Sequence, residues 1–161
     1  MELKKNFKKI GFIFGLKREM KLVSHKKNNI ACVYGYGKAS KNAAQKLIES
    51  GVDIVINFGF AGSISKNLKN GDIVFIDKLF NEKKEKLSTL KLDEDFLRNL
   101  ENGFKFFKSN LLTVNKIVAD KEEKLNLAKK FKSISVIDME AFYIKKELIK
   151  AKIPMVSMKV I

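Results

Sequence analysis

The stretch from Asp53 to Ile76, DIVINFGFAGSISKNLKNGDIVFI, limits the fold more than any other part of the chain. Two apolar runs, Ile54 to Phe58 and Ile73 to Ile76, have the length and continuity of buried strands. Between them Gly59, Ala61 and Gly62 keep the backbone thin just beyond the end of the first strand. Glycine there admits positive φ and lets a ligand approach main-chain N–H groups. In open α/β sheets ligands bind in the crevice outside the strand C-termini. A tight loop with no ligand fits a lone Gly-x-x-Gly equally well, so the rest of the chain must decide.

Order along the chain supports an α/β reading. Ile10 to Phe14 and Ile30 to Tyr34 read as strands, with Leu22 and Val23 as a further short one. After Gly35-Tyr36-Gly37 the period changes: Ala39, Ala43 and Leu47 lie four apart, beside Ala44 and Ile48, so a helix runs until Gly51. Strand, helix, strand in that order implies parallel neighbours joined by a right-handed crossover. Asn81 to Ser88 reads as a mobile connection, and Asp93 to Leu100 as a short helix with Phe96, Leu97 and Leu100 inward. Phe104 to Phe107 and Leu111 to Val114 are strand candidates. Asp120, with Glu123 three residues on, has capping-box spacing and opens a helix through about Phe131. Val136 and Ile137 make a short strand, Ala141, Ile144, Leu148 and Ile149 one helical face, and Pro154 introduces a last strand, Met155 to Ile161. The expected fold is one α/β domain over residues 1–161, a central mixed, largely parallel sheet flanked by helices.

Composition excludes several classes of protein. At 161 residues and 45% apolar content the chain forms one core and is not disordered. No apolar run reaches the length of a membrane span, and the basic N-terminus lacks a small-residue cleavage signature, so no membrane partner is expected. Cys32 stands alone, which gives no disulfide framework and no cysteine metal site. A cytoplasmic location fits that usage, with neither metal nor cofactor. The net charge of +15 raises nucleic acid as a partner, yet Arg18 and Arg98 are the only arginines and the lysines are spread end to end. A solvated lysine surface accounts for this better than a specific nucleic-acid face, for which arginine's planar fork is the expected tool.

Two acids stand out by position. Glu19 follows the first strand among Lys17, Arg18 and Lys21, where the commonest use of a glutamate is an exposed helix-face acid. Glu140 follows a short strand at a helix start, near unpaired N–H groups, where an acid also simply stabilises its own helix. A carboxylate there has two oxygens and can accept both hydroxyls of a sugar cis-diol. Asp138 reads as a helix cap.

Four pieces taken together, GFIFGLKRE (11–19), YGYGKAS (34–40), NFGFAG (57–62) with NGDIV (70–74), and DMEA (138–141) with PMVSMKVI (154–161), resemble the nucleoside phosphorylase and nucleosidase superfamily, most closely its methylthioadenosine/S-adenosylhomocysteine nucleosidase branch. The segment from about Phe80 to Leu111 is short and unlike that family. The resemblance implies a purine nucleosidase that cleaves an N-glycosidic bond, with a small-molecule nucleoside as ligand and a homodimer as assembly. It implies that Glu19 orients the attacking water, that Glu140 binds the 2′ and 3′ hydroxyls, and that Met139 packs on the sugar, with Asp138 beside them among the substrate-binding residues. Gly59, Phe60, Ala61 and Gly62 would line the nucleoside cavity, and Ile117 and Val118 the base pocket, where Ile117 replaces the family's aromatic ring. Tyr34 and Tyr36 are rim candidates without a role.

Phosphate transfer is disfavoured, because Asn57 and Phe60 stand where related phosphorylases carry phosphate-binding side chains. A phosphorylase nevertheless remains one alternative, and a catalytically impaired nucleoside-binding or assembly protein of the same fold another. The resemblance also implies a Ser-Asp pair and a final helix two residues past Ile161. That aspartate protonates the leaving purine, so the 161 residues are expected to bind better than they turn over. Lys159 occupies the family's arginine position near the strand end.

Overall fold

The computed structural model describes residues 7–23, 28–93, 97–98 and 103–161. Among them, nine strands form one mixed sheet: β1 (Ile10–Phe14), β2 (Ile30–Tyr34), β3 (Ile54–Phe60), β4 (Gly62–Ser63), β5 (Ile73–Asn81), β6 (Lys86–Ser88), β7 (Phe106–Thr113), β8 (Ile134–Asp138) and β9 (Met155–Val160). Among the described residues it is accompanied by the α-helices α1 (Lys17–Val23), α2 (Ser40–Glu49), α3 (Lys121–Lys130) and α4 (Ala141–Lys150).

The strand order is β2-β1-β3-β9-β5-β7-β8-β4, with β6 paired to β5. Most pairings are parallel; β5 runs against β9 and β6, and β4 against β8. The expectation of β2 and β3 as neighbours needs correction, because β1 lies between them and pairs in parallel with both. β3 and β4 are one path bent at Ala61. Its first half pairs with β9 and its second with β8, while the Ala61 N–H donates to Val160 O at 2.9 Å. The sheet thus folds round until its far end meets an extension of its own third strand.

Side-chain alternation sorts the core onto two faces. Val55, Val74, Ile76 and Met155 share a cluster with Ala43, Ala44 and Leu47 of α2 and Ala141, Ile144 and Leu148 of α4. Their neighbours Ile54, Phe75 and Val156 point the other way and pack with Leu97. A third cluster joins Leu112, Val118, Phe131 and Ile137, with Leu127 of α3 against it. α2 and α4 seat their apolar spacing on the sheet, which is where helices of this length gain most of their stability. Gly35 permits the close turn from β2 into α2, since a Cβ there would lie 2.8 Å from the Ser40 Cα.

Other local expectations fare unevenly. Asp120 caps α3, accepting from the Glu122 and Glu123 N–H groups at 2.8 and 2.9 Å. Leu22 and Val23 end α1 instead of forming a strand. Asn81 to Ser88 is a hairpin into β6: the Asn81 Oδ1 accepts from Lys83 N and Glu85 N, and Lys84 takes φ +64°. The two strands expected at 104–107 and 111–114 are one, β7. Of the expected helix from Asp93, Leu97 and Arg98 are helical, whereas Phe96 and Leu100 lie outside the described residues.

Candidate active site

The site forms where β1, β3, β8 and β9 end. Glu19 sits on the first turn of α1, just after β1, and only 3% of it is accessible. It is therefore not the exposed helix-face acid that its neighbours suggested. One oxygen, Oε2, accepts from the Leu16 N–H at 2.8 Å, the acidic half of a capping box. The other, Oε1, accepts from the Phe60 N–H at 3.1 Å, which ties α1 to the glycine loop. Gly59 leaves room for this contact: a Cβ there would lie 3.0 Å from Glu19 Oε2, and the carboxylate would have to give by a few tenths of an ångström.

Glu140 lies between β8 and α4, 4% accessible. Its Oε2 accepts from the Met139 N–H at 3.2 Å and its Oε1 from Lys159 Nζ at 2.8 Å. The helix start is capped by Asp138 instead, whose Oδ2 accepts from the Ala141 N–H at 3.0 Å. The two glutamates converge on Gly15: a Cβ there would stand 3.4 Å from Glu140 Oε1 and 3.5 Å from Glu19 Oε2. One missing side chain leaves room between two carboxylates.

Lys159 completes the arrangement. It is fully buried, and Met155, Ser157 and Lys159 share a strand face by the two-residue period, so it emerges on the side of α2 and α4. Its ammonium bridges Glu140 Oε1 and, at 2.9 Å, Asp138 Oδ2. Asp138 Oδ1 in turn accepts from the Thr113 hydroxyl at 2.7 Å, and that hydroxyl accepts from the Phe142 N–H at 3.0 Å. Thr113 and Asp138 are register partners across β7 and β8.

Burial raises the Glu140 carboxyl from its ordinary 4.5 to about 7; Lys159 opposes the rise and Asp138 adds to it. Burial also works against the Lys159 charge, but the two carboxylates reverse that and hold the ammonium above the usual lysine value. A cation held charged beside an acid pushed toward neutrality looks contradictory for a single pair. It is consistent for three groups, because one ammonium faces two carboxylates and the surplus negative charge falls on Glu140.

A cavity of about 240 Å³ adjoins this cluster, lined by Tyr36, Phe60, Ala61, Gly62, Val114, Lys116, Ile117, Val118, Ile137, Asp138, Met139 and Glu140. It gathers every residue anticipated for nucleoside binding except Gly59, which stands behind its wall against Glu19. Val118 is buried, while Ile117 is 72% exposed at the mouth. Tyr36 gains a contact that the sequence did not suggest, its hydroxyl donating to the Met139 sulfur at 2.8 Å. Tyr34 faces a separate 550 Å³ cavity that Tyr36 and Gly15 also line. Asn57 is turned inward, donating to Ile13 O and accepting from the Ser157 hydroxyl. Sequence reasoning missed Gly15 and Thr113 and gave Lys159 only a matching position. A lysine two and four residues from inward-facing Ser157 and Met155 was a readable sign of a buried counter-anion.

This fold and cluster define a class of protein, and comparison with known families agrees: the chain belongs to the phosphorylase superfamily, whose model matches residues 4–161. Within it, a relative of the nucleosidase branch, the 5′-methylthioadenosine/S-adenosylhomocysteine nucleosidase of Buchnera aphidicola subsp. Baizongia pistaciae, is 30% identical over 98% of this chain and 79% of its own length. The nucleosidase of the same name from Neisseria meningitidis, solved with methylthio-immucillin-A, superposes with a TM-score of 0.80 at 20% identity, over 95% of this chain and 84% of that one. A mutant futalosine hydrolase from Helicobacter pylori gives 0.77 at 19% identity, over 100% and 91%. At these identities the two structures speak for the fold.

Proposed function

We propose that this protein is an N-ribosyl hydrolase that cleaves the N-glycosidic bond of 5′-methylthioadenosine, S-adenosylhomocysteine or a closely related purine nucleoside. The observation that carries the reading is the approach of Glu19 and Glu140 to the same small space beside Gly15, with Glu140 lining the 240 Å³ cavity and Gly15 the neighbouring one of 550 Å³. Each carboxylate oxygen has a second lone pair beyond the hydrogen bond it already accepts. Glu140 uses these to accept the 2′ and 3′ hydroxyls, and Met139 packs on the sugar. Glu19 orients water toward the anomeric carbon, while Phe60, Ile117 and Val118 surround the base by dispersion, without ring stacking from Ile117. As the bond to the base lengthens, positive charge grows on the sugar and both carboxylates stabilise it.

Water is favoured over phosphate by the cavity's charge. Its one lining lysine, Lys116, is paired with Glu123 at 2.9 Å, and Lys159 is already committed to two carboxylates. Incubation with methylthioadenosine in phosphate-free buffer is expected to release adenine and free sugar at the rate seen with phosphate present. Strict phosphate dependence, with a sugar 1-phosphate as product, would sink the hydrolase reading. Binding without adenine release under either condition would leave a nucleoside-binding protein.

A homodimer belongs to the same proposal. Tyr34, Tyr36, Phe60 and Ile117 are between 45% and 72% exposed around the two neighbouring cavities, an apolar rim suited to a second copy. No helix among the described residues is long and apolar enough to cross a membrane. Sedimentation velocity over a dilution series should show a dimer; a compact monomer at every concentration would remove it.

A further inference from the structure

Of the three buried charged groups at the end of β8 and β9, the reading above uses only Glu140. Asp138 is 6% accessible, and its side chain accepts from three donors: the Thr113 hydroxyl, the Ala141 N–H and the Lys159 ammonium. A helix cap needs only the second of these, and serine or asparagine supplies it as well as aspartate does. The charge of Asp138 therefore has a use apart from capping. It stands 2.9 Å from the ammonium that Glu140 holds at 2.8 Å, so the two acids compete for one cation. Thr113 fixes the far oxygen of Asp138 by a bond to the next strand, which keeps the competing acid in place.

We propose that Asp138 is a positioning residue: by drawing the Lys159 ammonium toward itself, it sets the charge state in which Glu140 meets the sugar. This rests on the assignment of Glu140 to the sugar diol. The charged or titratable groups facing Glu140 are Lys159 from β9, Asp138 from β8 and Glu19 from α1, the last across the Gly15 gap. One ammonium is shared between two buried acids, and Glu140, the one left short of it, keeps its proton up to near neutrality. A sugar diol donates to a carboxylate better than to a carboxylic acid. Riboside affinity should accordingly fall as pH drops below about 7, while free-base affinity stays level. Without the rival charge, Lys159 would serve Glu140 alone and the fall would begin at lower pH.

The test follows the Glu140 carboxyl by ¹³C NMR through a pH titration of the ligand-free protein, in wild type, Asp138→Asn and Asp138→Ser. Serine keeps a cap and asparagine keeps shape, so one folded variant suffices. Glu140 is expected to titrate lower by about one pH unit or more in either variant. An unchanged or higher titration point would overturn the proposal. The same proteins are then titrated with a carbon-linked adenosine analogue, which has no N-glycosidic bond to cleave, and with adenine. The pH edge of riboside binding should move down with the carboxyl. If the carboxyl moves and the edge does not, Asp138 still controls Glu140, and it is the diol assignment that fails.

Discussion

Replacing Lys159 by methionine is expected to lower folding stability by about 3–5 kcal/mol at pH 8, the usual cost of removing one partner from a buried ionic cluster. Methionine matches the lysine stem in length and leaves no large void, so the loss reports charge. Asp138 and Glu140 would both remain buried with no cation between them. The penalty should shrink toward pH 5, because protonated carboxyls need no counter-ion. In wild type the sign for Glu140 is set by its raised value: folded, it binds its proton more tightly than unfolded. Its contribution to stability is therefore complete below about 4.5 and is lost as pH rises through about 7. Lys159→Met should steepen that decline. Urea unfolding at pH 8 and pH 5 measures both; equal losses at the two pH values would mean that packing, not charge, holds Lys159.

Glu140→Gln is the second large effect, this time on binding. Glutamine preserves the shape but replaces one acceptor oxygen with a donor and removes the charge. Affinity for the carbon-linked riboside should fall by about 2–4 kcal/mol, roughly thirtyfold to a thousandfold, since two hydroxyls lose a charged acceptor. Free adenine should lose less than about threefold, because the proposed base site is at Phe60, Ile117 and Val118, away from the diol. Stability should change little, for Lys159 keeps Asp138 and the surplus charge is gone. Calorimetry with both ligands decides the matter, and equal losses for base and riboside would rule out the diol assignment.

What the sequence disclosed follows the range of the forces involved. β1 and β2 were legible to the residue, because a continuous apolar run beside a glycine is a local signal. Leu22 and Val23 misled for the same reason, since two apolar residues fit a strand or the end of a helix equally well. The hairpin at Asn81 was hidden by its lysines; its turn depends on one asparagine oxygen serving two N–H groups, and composition does not record that. At the site, Glu140 was legible from a strand followed by a helix start, and Met139 only through the family resemblance. Thr113 was not, because it reaches Asp138 only through the register of β7 on β8, 25 residues apart. Glu19 does follow the first strand, but its burial was missed, as the glycine loop that covers it comes from a distant strand.

The bend at Ala61 makes the two walls of the nucleoside cavity unequal. One wall is stitched at both ends, to β9 before the bend and to β8 after it, so it cannot swing outward without unzipping two ladders. The other wall, from Val114 to Val118, is irregular chain held by side chains: besides the Val114 N–H to Asp138 O, Asn115 donates to Glu82 and accepts from the Tyr143 hydroxyl, and Lys116 pairs with Glu123. The glycine wall is therefore the fixed jamb of that cavity, and any adjustment to a bound molecule is left to the irregular chain facing it.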